Sequence, residues 1–254
     1  MMLGAVTYNT LKDWTLDQIV EKLPPLGFHA VELRTTHKHG VEIALSKAER
    51  EKVREKFSRS KLRLLSYGTT CEFHSADPAV RRKNVDETKQ WVELAHDTGA
   101  WGVKVRPNGF AKELGPEKTI QMIGESLREC AEYGARMGVE IWLEVHGRET
   151  QPPDVAAAIM RAANHKNVGL CWNSNPTDVV NGSVKKNFEL LRPWLKSCHI
   201  NELAGPYPYR ELFALMRASK YDRFTLCEAQ ASPETERFLR WYNALWTELG
   251  RACA

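Results

Sequence analysis

Two hydrophobic textures alternate along this chain. Short runs rich in β-branched and aromatic residues read as strands: LGAVTYN (3–9), AVELRT (30–35), LRLLSYG (62–68), GVKVRP (102–107), EIWLEVH (140–146), VGLCWN (168–173), SCHIN (197–201) and FTLCEA (224–229). Between them, longer stretches place apolar residues at helical spacing, near 15–23, 46–59, 78–98, 117–136, 153–164, 184–192, 209–218 and 233–249. Ser46 before KAER, Asp77-Pro78 and Ser232-Pro233 read as helix starts, and the first helix follows Asp13. Gly27, Gly99, Gly138 and Gly250 fall where helices should stop. In the last helix, Phe238, Leu239, Tyr242, Leu245, Trp246 and Leu249 recur at helical spacing and form a face for packing.

Strict alternation of strand and helix implies a parallel sheet covered by helices. Eight such units fit 254 residues, so the reading is a single (β/α)8 TIM barrel forming one domain over residues 1–254. An open doubly wound sheet would carry a Gly-rich turn after its first strand. The turn here is TYNTLKDW, with neither GxGxxG nor GxxxxGK[ST].

Composition narrows the class. Hydrophobic residues make up 43% and charged residues 27%, an ordinary globular mixture, and the formal charge of +4 is too small to argue for nucleic acid. No apolar run reaches the roughly 18 residues of a membrane span, and the start, MMLGAVTYNT, does not read as a signal peptide. The six cysteines (71, 130, 171, 198, 227 and 253) lack CxxC spacing and read as small buried thiols. A cytoplasmic location is the expectation.

The chemistry lies at the strand ends. Residues i and i+2 of a strand share a face. Polar pairs at that spacing end several strands: Glu32 and Arg34, Lys104 and Arg106, Glu144 and His146, His199 and Asn201, Glu228 and Gln230, with Asn173 on the face of Cys171. In a barrel the inward residues at the C-terminal strand ends converge on one mouth, where active sites form. Glu144, Asn173, His199 and Glu228 come from four successive strands and make an N/O donor set. It suits one divalent ion, Mn²⁺, Mg²⁺, Co²⁺ or Zn²⁺. The two glutamates can also serve as proton donor and acceptor on a bound substrate.

The motifs GFHAVELRT (27–35), CEFHSADPAVRRKNVDETKQWVELAHDTGA (71–100), GVKVRPNG (102–109), IWLEVHG (141–147), VGLCWNSN (168–175), SCHINEL (197–203) and FTLCEA (224–229) span nearly the whole chain. In order and spacing they resemble the xylose isomerase-like TIM-barrel superfamily, the sugar-phosphate isomerase/epimerase and AP-endonuclease-2-type domains. The resemblance implies a metal site of Glu, Asp, His and Glu on the fifth to eighth strands, matched by Glu144, His199 and Glu228. It also implies ketose isomerisation or epimerisation through an enediolate, with the two glutamates as acid and base. The sixth-strand Asp and the His three residues later are replaced here by Asn173 and Pro176. That removes a charge from the metal site.

Lys104 and Arg106 are candidates to hold a substrate hydroxyl, carboxylate or phosphate; salt bridges to Glu32 or Glu72 are their alternative. His146 and Arg210 resemble substrate contacts of the family. His74, with Glu72, and the pair His37 and His39 lie in loops of the active face. Trp14, Tyr67 and Trp172 are candidate pocket walls, with core packing as the alternative.

The leading reading is a metal-assisted isomerase or epimerase acting on a small carbohydrate or keto-polyol. A lyase on the same scaffold (a dehydratase or C-glycoside-cleaving enzyme) and a non-catalytic sugar-binding barrel are the alternatives. An abasic-site endonuclease would need three zinc ions and many more His and Asp ligands. Neither nucleic acid nor a membrane is expected as a partner, and a homo-oligomer is compatible with the family.

Overall fold

In the computed structural model, which describes residues 1–251, eight parallel strands close into a barrel in chain order. They are β1 (Met2–Val6), β2 (Ala30–Arg34), β3 (Arg63–Glu72), β4 (Gly102–Arg106), β5 (Glu140–Glu144), β6 (Val168–Asn173), β7 (Leu195–Ile200) and β8 (Phe224–Cys227). Closure is made by β8 against β1, with Leu3 opposite Thr225. The helices between are α1 (Leu16–Lys22), α2 (Lys47–Ser58), α3 (Pro78–Thr98), α4 (Gly115–Met137), α5 (Pro153–Ala163), α6 (Lys185–Leu191), α7 (Tyr209–Ala218) and α8 (Thr235–Gly250).

The sequence-based elements stand within a few residues, and the local differences have reasons. The first helix follows Asp13 as expected and is capped by Thr15, with which Gln18 completes a capping box. Ser46 does the same with Glu49, and Asp77 caps α3 ahead of Pro78. Ser232-Pro233 form a turn before α8, whose N-cap is Glu234. Gly99 and Gly138 end α3 and α4, and Gly27 a short 3-10 turn, all three in the left-handed C-cap conformation, whereas Gly250 is the last residue of α8 itself.

Two apolar layers hold the barrel. The larger lies between strands and helices. A smaller one of Val6, Ala30, Leu65, Trp142, Phe224 and Leu226 fills the lower barrel interior. Above it the inward positions turn polar. A bulge in β3 governs part of this change: Val31 pairs with Leu64 but Glu32 pairs with Ser66. Leu65 and Ser66 therefore both face the interior, and Tyr67 turns outward, where its hydroxyl meets Thr98 at 2.8 Å. Gly68 then faces in, where a Cβ would lie 2.8 Å from Glu32 Oε1. A side chain at 68 would displace that carboxylate.

Cys71, Cys130, Cys171, Cys198 and Cys227 are buried free thiols; Cys253 lies outside the described residues. Among the described residues, no helix is long and apolar enough to cross a membrane.

Candidate functional site

A cavity of about 260 Å³ opens at the C-terminal strand ends. It is small for a ligand pocket and fits one modest molecule. Its wall is built strand by strand. Tyr8 follows β1, Glu32 and Arg34 end β2, Lys104 and Arg106 end β4, and Glu144 and His146 come from the end of β5. Asn173 ends β6, and Asn201 and Glu228 directly follow β7 and β8.

His199 sits under this cavity with no solvent exposure. Its Nε2 lies 3.2 Å from Glu32 Oε1, and its Nδ1 lies 3.2 Å from Glu228 Oε2 and 3.5 Å from Glu144 Oε1. None of these approaches is aligned as a hydrogen bond, so both ring nitrogens, and Glu32 Oε1 with them, lack a hydrogen-bond partner among the described residues. Burial acts to lower the His199 pKa, but Cys171, Glu228 and Glu32 outweigh it and hold it well above its ordinary value.

The carboxylates differ in their surroundings. Burial opposes ionisation of Glu144, yet Lys104 and His199 hold its pKa well below the usual carboxylate range. Lys104 donates to Glu144 Oε2, and Asn173 Nδ2 donates to Oε1 at 3.2 Å. Glu32 is likewise lowered against its burial, by His199, Lys104 and Ser66, whose hydroxyl donates to Oε2 at 2.8 Å. The same carboxylates, Glu144 and Glu32, raise the Lys104 pKa despite its own burial. Glu228 is different: its side chain keeps 15% exposure and approaches His199.

These donors fit a divalent cation. Ligand atoms of Glu144, His199 and Glu228 lie within 4.8 Å of one another. An ion with donors about 2.1 Å away spaces neighbouring donors roughly 3 to 3.5 Å apart. The His199 contacts to Glu228 and Glu144 have that spacing, and Nδ1 has no competing hydrogen bond. Asn173 stands beside them as a neutral amide bound to Glu144.

The other expected residues divide. Arg106 lines the cavity and pairs with Glu72 at 2.7 Å, whereas Lys104 pairs with Glu144 and not with Glu72. His146 lines the cavity with Nδ1 2.6 Å from Asn108 Oδ1, and burial lowers its pKa. His74 stays outside the lining, with Nδ1 3.8 Å from Glu72 Oε2. Arg210 is exposed on the first turn of α7, outside the lining, and Gln230 is exposed too. Trp172 does not wall the pocket. Lying between Cys171 and Asn173 on β6, it points outward, packs on Phe188 and donates to Tyr207 Oη at 3.0 Å. Tyr67 and Trp14 also lie outside the lining, Tyr67 against Trp91 and Trp14 under the Lys22 ammonium.

Sequence reasoning missed Tyr8, Gln151 and Asn175. Tyr8 lies two residues beyond inward-facing Val6, so strand period could have found it; Gln151 and Asn175 sit in loops that carry no period. It also missed Asp178, behind the mouth in the loop after β6. This carboxyl accepts from Asn175 N at 2.8 Å and Tyr207 Oη at 2.9 Å, and burial pushes its pKa up to about 7.

A family model describing the xylose isomerase-like TIM barrel matches residues 20–245. The chain belongs to this family. Solved structures share the family's architecture with it across essentially whole chains. D-psicose 3-epimerase from Clostridium cellulolyticum H10, solved with D-tagatose, superposes with a TM-score of 0.83 at 14% identity, covering 99% of this chain and 100% of that one. The IolI protein with a bound zinc atom gives 0.72 at 19% identity, covering 98% and 96%. The probable 3-DHS dehydratase AsbF from Bacillus anthracis gives 0.74 at 14% identity, covering both chains completely. No curated protein matches the chain. Within this xylose isomerase-like barrel, the polar mouth is formed by the strand ends that carry the sequence motifs.

Proposed function

We propose that this barrel is a metal-assisted isomerase or epimerase of a small ketose or keto-polyol. Glu144, His199 and Glu228 would hold one divalent cation (Mn²⁺, Mg²⁺, Co²⁺ or Zn²⁺), with Asn173 beside them as a neutral fourth contact. A cation bound there supplies Lewis-acid polarisation of the substrate carbonyl. The observation that carries this reading is the convergence of two carboxylates on one unpartnered imidazole nitrogen at the cavity floor.

Glu228, the more exposed carboxylate, takes the proton from the carbon next to the carbonyl. Glu144, fixed by Lys104 and Asn173, faces the substrate from the neighbouring wall and exchanges the second proton. Their unequal surroundings separate the acid and base roles. Lys104, which donates to Glu144 Oε2, supplies the proton that Glu144 passes to the opposite face, and the proton taken by Glu228 returns through solvent to reset the pair. His146 and Asn201 contact substrate hydroxyls. Among the sequence candidates, His74, Arg210 and Trp172 lie outside the cavity lining and would act only through the loop, helix and strand that carry them. The buried thiols suit a reducing compartment, and we place the protein in the cytoplasm.

A lyase is the second reading. It starts from the same proton removal, and a dehydratase, AsbF, shares the fold over its whole length. The test incubates Mn²⁺- or Co²⁺-loaded protein with a panel of ketoses in D₂O. Deuterium entering beside the carbonyl at unchanged product skeleton supports the isomerase; loss of water identifies the lyase. Elemental analysis should find about one ion per chain, lost in Glu228→Ala. Ligand binding with no exchange, unchanged by Glu144→Gln and Glu228→Gln, would identify a non-catalytic sugar-binding barrel.

A further inference from the structure

The β2 and β4 side of the mouth carries charge that the proton chemistry does not use. Arg34 and Arg106 both line the cavity. Arg34 is half-buried, lies 5.8 Å from the centre of the Tyr8 ring and donates Nη1 to Thr35 O at 3.0 Å. Among the described residues it has no carboxylate within 4.0 Å, the only salt bridge of this pair being that of Arg106 with Glu72. That bridge uses Nη2 of Arg106, while its buried Nε finds no acceptor. The two guanidinium groups are close enough for Arg106 to help depress the Arg34 pKa, after burial itself.

A buried unpaired donor and two neighbouring like charges both cost free energy. A guanidinium presents a planar fork of donors matched to the paired oxygens of a carboxylate or phosphate. Lys104 cannot fill this need, since Glu144 already engages it. Three carboxylates (Glu32, Glu144, Glu228) and three cations (Arg34, Lys104, Arg106) line the cavity. A divalent ion on the carboxylates therefore leaves the pocket positive, which a neutral sugar would not offset.

The geometry points to an oxyanion subsite: Arg34 and Arg106 hold the phosphate or carboxylate end of a small substrate whose keto group lies against Glu144 and Glu228. This deepens the proposed function and rests on it for the position of the keto group and for the cation that leaves the pocket positive.

Calorimetric titrations of the Mn²⁺-loaded protein with D-fructose, D-fructose 6-phosphate and 5-keto-D-gluconate test the subsite. At least one anionic ligand should bind about tenfold more tightly than D-fructose, the gain expected from one or two charge-assisted hydrogen bonds. The tighter anion tells phosphate from carboxylate. Arg34→Gln should collapse the preference to below about threefold and Arg34→Lys should keep part of it, as a point charge replaces the fork. Unfolding midpoints confirm that both variants fold. Equal affinity for all three ligands, no binding of either anion, or a preference untouched by Arg34→Gln would each overturn the subsite. Deuterium exchange on the same samples separates the two ideas. Anion preference without exchange keeps the subsite and ends the isomerase reading; exchange without preference does the reverse.

Discussion

The two ends of the barrel both gather charge, but they treat it differently. At the N-terminal floor, Glu140 accepts both Arg223 guanidinium nitrogens at 2.7 and 2.9 Å and the Trp142 indole at 2.8 Å, and Lys196 approaches at 3.4 Å. Arg63 and Arg223 lie against the Trp101 ring. Among the described residues, no buried side-chain atom of this floor cluster lacks a partner. At the mouth, Glu32, Arg106 and His199 all carry orphaned buried atoms. Satisfied charge stabilises a fold; unsatisfied charge held in place by the same frame is what a ligand can complete.

The comparison breaks first at the mouth. Glu228→Gln should lower turnover by about 10²- to 10⁴-fold, the usual share of a general acid or base, with an unchanged far-UV spectrum. A drop below tenfold in steady-state assays would remove Glu228 from the proton chemistry. Asp178, whose Oδ2 accepts two hydrogen bonds while its buried Oδ1 accepts none among the described residues, lies outside the cavity and tests whether such groups weaken the fold. Its pKa is raised from 3.8 to about 7, so between those values the folded protein binds more protons than the unfolded one and stability falls as pH rises. Asp178→Asn should match wild type in urea unfolding near pH 4 and exceed it at pH 8, by no more than about 4 kcal/mol at 1.36 kcal/mol per unit.

The floor should answer in stability alone. Glu140→Ala strands Arg223 in a partly solvated site and should cost about 2 kcal/mol in the same unfolding assay, with metal content unchanged. Finally, Asn173→Asp restores a charge beside Glu144. It should tighten Mn²⁺ binding about tenfold, seen as a larger metal-dependent rise in Tm, although the metal-free variant loses stability.

Much of this was legible in the chain because a barrel translates sequence into position by simple rules. Period-two spacing put Glu32, Lys104, Glu144, Asn173, His199 and Glu228 on the inward face, and their place at strand ends put them at the mouth. The same rule, applied to Trp172, would have turned it outward, since its neighbours Cys171 and Asn173 face in. Partners were not legible. Lys104 could meet Glu32, Glu72 or Glu144, and only the closed barrel, which sets β4 beside β5, selects Glu144. Arg210 follows a loop whose path no period encodes, and it ends in solvent. Asp178 gains its meaning from Tyr207, 29 residues away.

The bulge at Leu65 and Ser66 makes β3 behave like a reading frame. Deleting either one removes the bulge and leaves the faces downstream as they are, whereas regular alternation through both residues would exchange the two faces of everything downstream in the strand. Tyr67 would swing into the space that Gly68 leaves for the Glu32 carboxylate, and Ser66 would leave that carboxylate for the helices. Such a change of phase removes no residue with a chemical task. It would nonetheless misplace the carboxylate beside His199 Nε2, so this site can be lost by changing phase as readily as by changing a side chain.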